Sequence, residues 1–333
     1  MMAKLFGKDI IMKTIAKKML KVCMWILAVT AVFLGALRLA SYIRYAEFFN
    51  HSRVEFLIPG LTEDFVPQGF DYIAETDTFL TAGYVGKGGP ARIYVRSGGK
   101  TVRADLFYAD GSAYDQHAGG ICHNGDYLYV AGPTGTDVFS LADVLSGGDA
   151  LLLGTIEIGH DTAYCSIVDG HLYVGNFYAP VDFETPDAHR ITTPAGDHNT
   201  AIMTVYRLDE AKPFGVDPVP VAAVSTREKV QGFCVTEDGQ FVLSTSYGMS
   251  SSVLWFYRPE NTRAGTVELQ GRQVPLYYLD SANLVASVET LPMSEELVYK
   301  DGRVFVMNES GCEKYLTYGR YLGGYWVYSY RTK

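Results

Sequence analysis

Five positions in this 333-residue chain open five copies of one short phrase, and their side chains set the chemistry the copies could share: Gln68, His117, Ala163, Gln231 and Glu295. A carboxylate, an imidazole and two primary amides supply donors, acceptors and a pair of groups able to exchange a proton. His117 suits proton transfer or a transition metal, although one histidine is not a metal motif. Glu295 is followed directly by a second acid, Glu296. Polar groups brought together away from solvent need partners, which can be each other, trapped water, an ion or a ligand. The first two would make a plugged, water-filled channel, and the last two a functional site.

The elements that position these residues are hairpins. The phrases are QGFDYIAETDTFLTAG from Gln68, HAGGICHNGDYLYVAG from His117, AYCSIVDGHLYVGN from Ala163, QGFCVTEDGQFVLSTS from Gln231 and EELVYKDGRVFVMNES from Glu295. Asp-Gly or Asn-Gly between alternating apolar runs is a strong hairpin signal, because a two-residue hairpin turn needs positive φ. Hairpins recurring about every 45 to 65 residues predict an all-β chain, a five-bladed β-propeller in which each phrase is the inner half of a blade. The fifth unit has strands at 295–300, 303–308 and 325–330 but no outer strand, while VEFLI at 54–58 has no hairpin of its own. One spare strand and one missing strand predict closure of the ring by the N-terminal segment. Six blades result if 265–290 hides a degenerate unit. In a propeller the inner-strand starts and second-strand ends share one face, so Tyr84, Tyr178, Tyr247, Tyr315 and Tyr318 are expected on the rim above the polar ring. The insertion 177–200 and the segment 309–324 belong to the same face. Tyr84, Tyr247 and Tyr315 with Gln68, His117, Gln231 and Glu295 form the candidate ligand site, since tyrosine offers a flat apolar ring and a hydroxyl at low entropy cost. The insertion's Asp182, Glu184, Asp187, His189, Asp197 and His198 show no ligand register and read as a solvated lid.

The N-terminal region differs in kind. Lys13, Lys17, Lys18 and Lys21 precede VCMWILAVTAVFLGALRLA, whose only charge is Arg38. This predicts a basic cytoplasmic tail over 1–21, an uncleaved transmembrane anchor over 22–40, a linker over 41–52 and a propeller over 53–333 outside the cytoplasmic membrane. A cleaved signal peptide is the alternative, but no clean small-x-small site follows the apolar run. A net charge of −9 argues against nucleic acid as a partner. Cys122, Cys165, Cys234 and Cys312 fall in four repeats; their even count permits disulfides, but their spacing assigns no pairs and matches no zinc motif.

PQGF at 67–70, VQGF at 230–233 and EELVYKDGRVFVMNESG at 295–311 resemble the blade openings of gluconolactonase and strictosidine-synthase-like propellers. The resemblance covers the repeat unit across most of 62–311. It implies a divalent cation such as Ca2+ in the central channel, bound by Glu, Asn and Asp, and hydrolysis of lactones or phosphotriesters. Gln68 and Gln231 stand where a ligand Glu is expected, which leaves Glu295 or Glu296 as metal ligands and weakens a site for a hard cation. There is no nucleophile elbow, P-loop or dinucleotide fingerprint. The sequence therefore favours a membrane-anchored propeller that binds a sugar, peptide or small molecule. The alternatives are a metal-assisted hydrolase with His117 or Glu295 as catalytic group, and a scaffold for an envelope protein complex.

Overall fold

The computed structural model describes residues 2–259, 265–315 and 319–332, with side chains from residue 12 onward. The chain divides into two units, Met1–Arg44 and Tyr45–Lys333. The first is one helix, Met2–Arg44. Its apolar part, Met12–Arg44, contains an 18-residue window with a mean hydropathy of 2.2, none of which is buried. Among the described residues it is the one helix long and apolar enough to cross a membrane.

The second unit is a β-propeller of four-stranded antiparallel meanders. The first meander uses Phe65–Ile73, Thr78–Val85, Arg92–Ser97 and Lys100–Phe107, and the second Ile121–Asn124, Tyr127–Ala131, Gly135–Ser140 and Asp149–Glu157. The third uses Tyr164–Val168, His171–Gly175, Ala201–Leu208 and Val216–Thr226, and the fourth Val230–Val235, Phe241–Thr245, Ser252–Tyr257 and Leu284–Thr290. The fifth uses Ser294–Lys300, Arg303–Asn308 and Trp326–Arg331, and its outer strand is Ser52–Leu57 from the start of the unit. That closing strand runs antiparallel to Trp326–Arg331, from Ser52 opposite Tyr330 to Leu57 opposite Trp326. The innermost strands neighbour one another in order, and the fifth returns to the first.

Turn chemistry explains the hairpins. Asp169 and Gly170 both have positive φ, as do Asp301 and Gly302, which is the backbone a two-residue turn between right-twisted strands requires. Segment 265–290 makes no meander of its own. Its hairpin, Gly265–Leu269 with Arg272–Tyr278, lies parallel to the outer strand of the third meander at Ala223–Ser225, while Leu284–Thr290 completes the fourth. Val267, Leu269, Val274 and Leu276 bury themselves there against Ile202 and Ala223, an apolar face that the alternation alone did not assign to a partner.

Residues 45–52, expected as linker, belong to the propeller body. The short helix Ala46–His51 buries Phe48 and Phe49 among Tyr45, Val288, Tyr328 and Tyr330. Phe48 stacks on Tyr330 at 5.9 Å and meets Tyr328 edge-on at 5.7 Å. Burying such a side chain is worth about 1.5–3 kcal/mol, so this helix fastens the closing strand to the last sheet.

Candidate functional site

Three inner strands carry a register shift at the same level. Pairing skips between Pro67 and Phe70, between Val230 and Gly232, and between Ser294 and Leu297. Each shift is a β-bulge, and the bulged residues are Gln68 with Gly69, Gln231, and Glu295 with Glu296. A bulge bends the strand and re-aims side chains that strict alternation would send to one face or the other. Three of the predicted ring positions, Gln68, Gln231 and Glu295, therefore sit at bulges of the first, fourth and fifth blades, which are consecutive around the closed ring.

Glu296 spans the channel. It is 1% exposed, and its Oε2 accepts the backbone N–H of Phe70 at 2.7 Å and of Ile121 at 2.7 Å, while Oε1 accepts that of Cys165 at 3.2 Å. One side chain of the fifth blade thus ties the first, second and third. Glycines make room for it: a Cβ on Gly120 would stand 2.7 Å from Oε1, and one on Gly232 would stand 2.5 Å from the Glu296 Cα. Burial raises its pKa well above the carboxylate range, and the three backbone donations pull against that rise.

Glu295 is different. It is also 1% exposed, but neither carboxyl oxygen has a hydrogen-bond partner among the described residues. Burial, reinforced by the charges of Glu309 and Glu296, raises its pKa well above the usual range. Glu309 lies just past the second strand of the same blade and accepts a hydrogen bond from Gln68 Nε2 at 2.7 Å. Burial pushes Glu309 up to about 7, against the pull of Gln68 and Lys314. Lys314 donates to the Tyr84 hydroxyl at 2.6 Å and lies 5.0 Å and 5.2 Å from the ring centres of Tyr84 and Tyr315. Tyr84 in turn stacks on His117 at 4.7 Å.

Five of the seven predicted site residues, Gln68, Glu295, Tyr84, His117 and Tyr315, therefore gather with Glu309 and Lys314 in two linked groups. Gln68, Glu295 and Glu309 supply the carboxyl and amide chemistry, and Tyr84, His117, Lys314 and Tyr315 form an aromatic and cationic border. His117 stands two residues off the position equivalent to Gln68: the amide bound by Glu296 is Ile121, four residues after His117, whereas in the first blade it is Phe70, two after Gln68. The second blade spends the extra residues on Ala118, whose φ is positive, and Gly119. Burial and then the Lys314 charge hold the His117 pKa down to about 4, while more than a third of the residue is open to water. Gln231 is half-buried at its bulge. Tyr247 turns to the insertion, where its hydroxyl donates to the Asp182 carboxylate and its ring meets Phe177 and Phe183. Tyr178 lies under the Arg190 guanidinium, and Tyr318 lies outside the described residues.

Glu309 and Lys314 were not singled out from the sequence. They follow the fifth phrase rather than opening it, and the signal that could have found them is that second-strand ends share the face of the polar ring.

The insertion is pinned to the propeller rather than free. His189 is 4% exposed; its Nδ1 is 3.0 Å from the Asn176 amide and its ring meets His160 edge-on at 5.2 Å. Glu184 and Asp187 pair with Arg190. Among the described residues, no three His, Cys, Asp or Glu side chains converge as a metal site. Glu296, whose oxygens take three N–H donors, and the bonded Gln68–Glu309 pair are not free to hold Ca2+ in the channel, which leaves it Glu295, a weak site for a hard cation.

A groove of about 710 Å³ lies elsewhere, between the closing strand and the first blade, lined by Glu55, Phe56, Tyr94, Arg96, Arg103 and Trp326 among others. Of its charges, Arg103 pairs with Glu63 and Asp105. The buried Glu295 carboxyl, unpartnered among the described residues, makes the channel mouth the stronger candidate.

No family model matches this chain, and no curated relative matches it by sequence. Solved structures similar to it include the PQQ-bound form of an aldose sugar dehydrogenase from Streptomyces coelicolor, at 13% identity over 84% of this chain and 96% of that one, with a TM-score of 0.45. A gluconolactonase from Xanthomonas campestris shares 11% identity over 84% and 94%, with a TM-score of 0.38. The WD40 β-propeller domain of Doa1 shares 10% identity over 85% and 97%, with a TM-score of 0.39. No residue role is carried over from them; the propeller stands on the strand pairings above.

Proposed function

We propose that this chain is a membrane-anchored propeller that holds a small polar ligand at the mouth of its central channel, with the propeller outside the cytoplasmic membrane. The observation that carries the binding reading is Glu295. A buried carboxyl without a partner costs stability, on the order of 1–3 kcal/mol for a neutral group and more for a charged one. A ligand presenting hydrogen-bond donors, such as a sugar or the amino group of a peptide or small amine, satisfies it. Tyr84, Tyr315 and His117 then supply aromatic surface, and Lys314 a cationic donor at the rim. The orientation rests on Lys13, Lys17, Lys18 and Lys21 preceding the span.

One observation favours catalysis as the second reading. Glu309, with a pKa near 7, is poised to give or take a proton at neutral pH. In that case it, rather than His117, is the acid–base group of a hydrolase.

The test is a binding screen on the purified chain with defined probes: glucose, D-glucono-1,5-lactone, ethylammonium and a short peptide, read by calorimetry and by product release, alongside elemental analysis. Saturable binding that is lost in Glu295→Gln supports the first reading. Lactone turnover lost in Glu309→Gln supports the second. Stoichiometric calcium would overturn the arrangement of carboxyls described above. External protease on spheroplasts should remove the propeller and spare a short N-terminal tag; protection of the propeller would reverse the orientation.

A further inference from the structure

Two of the body's cysteines meet. Cys122 lies on the inner strand of the second blade and Cys165 on that of the third, 43 residues apart in sequence, and their sulfurs are 3.4 Å apart. Both are free thiols in one apolar cluster with Tyr129, Val138, Leu172 and Val174. Cys234 and Cys312 are buried in two other clusters. Sequence spacing could not single out a pair, because the four cysteines fall in four repeats; the ring geometry does.

The surroundings give the pair a consequence. The backbone N–H of Cys165, and that of Ile121 immediately before Cys122, both donate to Glu296. A bond between the two sulfurs would therefore join the same two blades that Glu296 holds from the channel side. Bringing the sulfurs to the bonded distance of about 2.05 Å needs a shift of a little over one ångström, within reach of small side-chain rotations.

We propose that Cys122 and Cys165 are a modification site, an inter-blade disulfide formed as the ring assembles. The thiolate of one cysteine attacks a small-molecule or protein disulfide, releasing one donor thiolate and leaving a mixed disulfide. The thiolate of the second cysteine then attacks the first cysteine's sulfur, forming the Cys122–Cys165 bond and expelling the second donor thiolate. The pair loses two electrons and two protons, and the donor disulfide gains them as two thiols. The step belongs to assembly and not to the finished fold. Both side chains are buried, and burial raises both thiol pKa values, so little reactive thiolate is presented once the blades have closed. An oxidising compartment outside the cytosol, where the proposed orientation puts the propeller, allows the bond to persist.

The experiment takes the full chain from its own membrane, lysed directly into denaturant with N-ethylmaleimide and digested without reductant. Mass spectrometry should find the Cys122 and Cys165 peptides joined, two hydrogens lighter than their sum, with Cys23, Cys234 and Cys312 labelled. Maleimide on both Cys122 and Cys165, or either one bonded to a different cysteine, would overturn the proposal. A second arm fixes the timing. Reduced, unfolded chain refolded with oxidised glutathione should form the bond at least tenfold faster than reduced, already folded chain given the same oxidant, and equal rates would refute formation during assembly.

Discussion

Replacing Glu296 separates a structural clasp from an idle buried acid. Its two oxygens are not equivalent: Oε2 takes two N–H donors at 2.7 Å, and Oε1 takes one at 3.2 Å. Glu296→Ala strands three buried backbone donors at about 1–3 kcal/mol each, partly offset by removing a carboxyl that burial already disfavours, for a net loss of about 3–5 kcal/mol. Against a typical domain stability of about 5–15 kcal/mol this is a severe defect. Glu296→Gln keeps the volume and one oxygen. The favourable amide orientation leaves the carbonyl on Phe70 and Ile121 and turns the NH2 toward the single longer donor, Cys165, costing about 1–3 kcal/mol. Urea unfolding measures both losses, and amide exchange locates them: in the Gln variant, protection should fall at Cys165 more than at Phe70 or Ile121. An Ala variant within about 1 kcal/mol of wild type, or equal loss of protection at all three amides in the Gln variant, would refute the clasp.

Glu309 makes stability depend on pH. Its folded pKa of about 7 exceeds its ordinary value of 4.5, so between those values the folded chain keeps a proton that the unfolded chain has released, and stability falls as pH rises. The loss is at most about 3 kcal/mol, less because the residue is only half-buried. Glu309→Gln should flatten the melting profile between pH 4.5 and 7, leaving a residual slope of the same sign from Glu295 and Glu296; an unchanged slope would contradict the raised pKa. Deleting 53–58 removes the strand paired to Trp326–Arg331 and leaves an open sheet edge, so cooperative unfolding should be lost or aggregation appear. Calorimetry showing the same transition as the intact chain would reject closure by the N-terminal strand.

The hairpins were legible because Asp169-Gly170 and Asp301-Gly302 put turn chemistry between alternating runs, and the closing strand because VEFLI had no other partner. The N-terminal helix was legible from its apolar length. What alternation does not encode is a register shift: the bulges at Gln68, Gln231 and Glu295 move side chains off the pattern. Gly69 and Gly232 stand beside two of those bulges and Gly120 just before the second blade's inner strand, but nothing local shows what approaches them; at Gly120 and Gly232 it is Glu296. The two-residue offset of His117 is set before its strand, where Ala118 takes a positive φ. Contacts set by the ring as a whole, such as Cys122 with Cys165 or Gln68 with Glu309, join residues 43 and 241 positions apart and leave no local mark. Six residues are too few for a periodic pattern, so the sequence does not distinguish helix Ala46–His51 from linker.

The most direct test of a ligand site at the channel mouth is the melting temperature of Glu295→Met. If Glu295 is kept for a ligand at the expense of the fold, an apolar side chain of similar length should stabilise the unliganded chain by about 1–3 kcal/mol. The melting temperature should then rise by a few degrees, roughly 2–4 °C per kcal/mol, while binding of the probes is lost. A lower melting temperature with probe binding unchanged would show that Glu295 holds the channel together and serves no ligand.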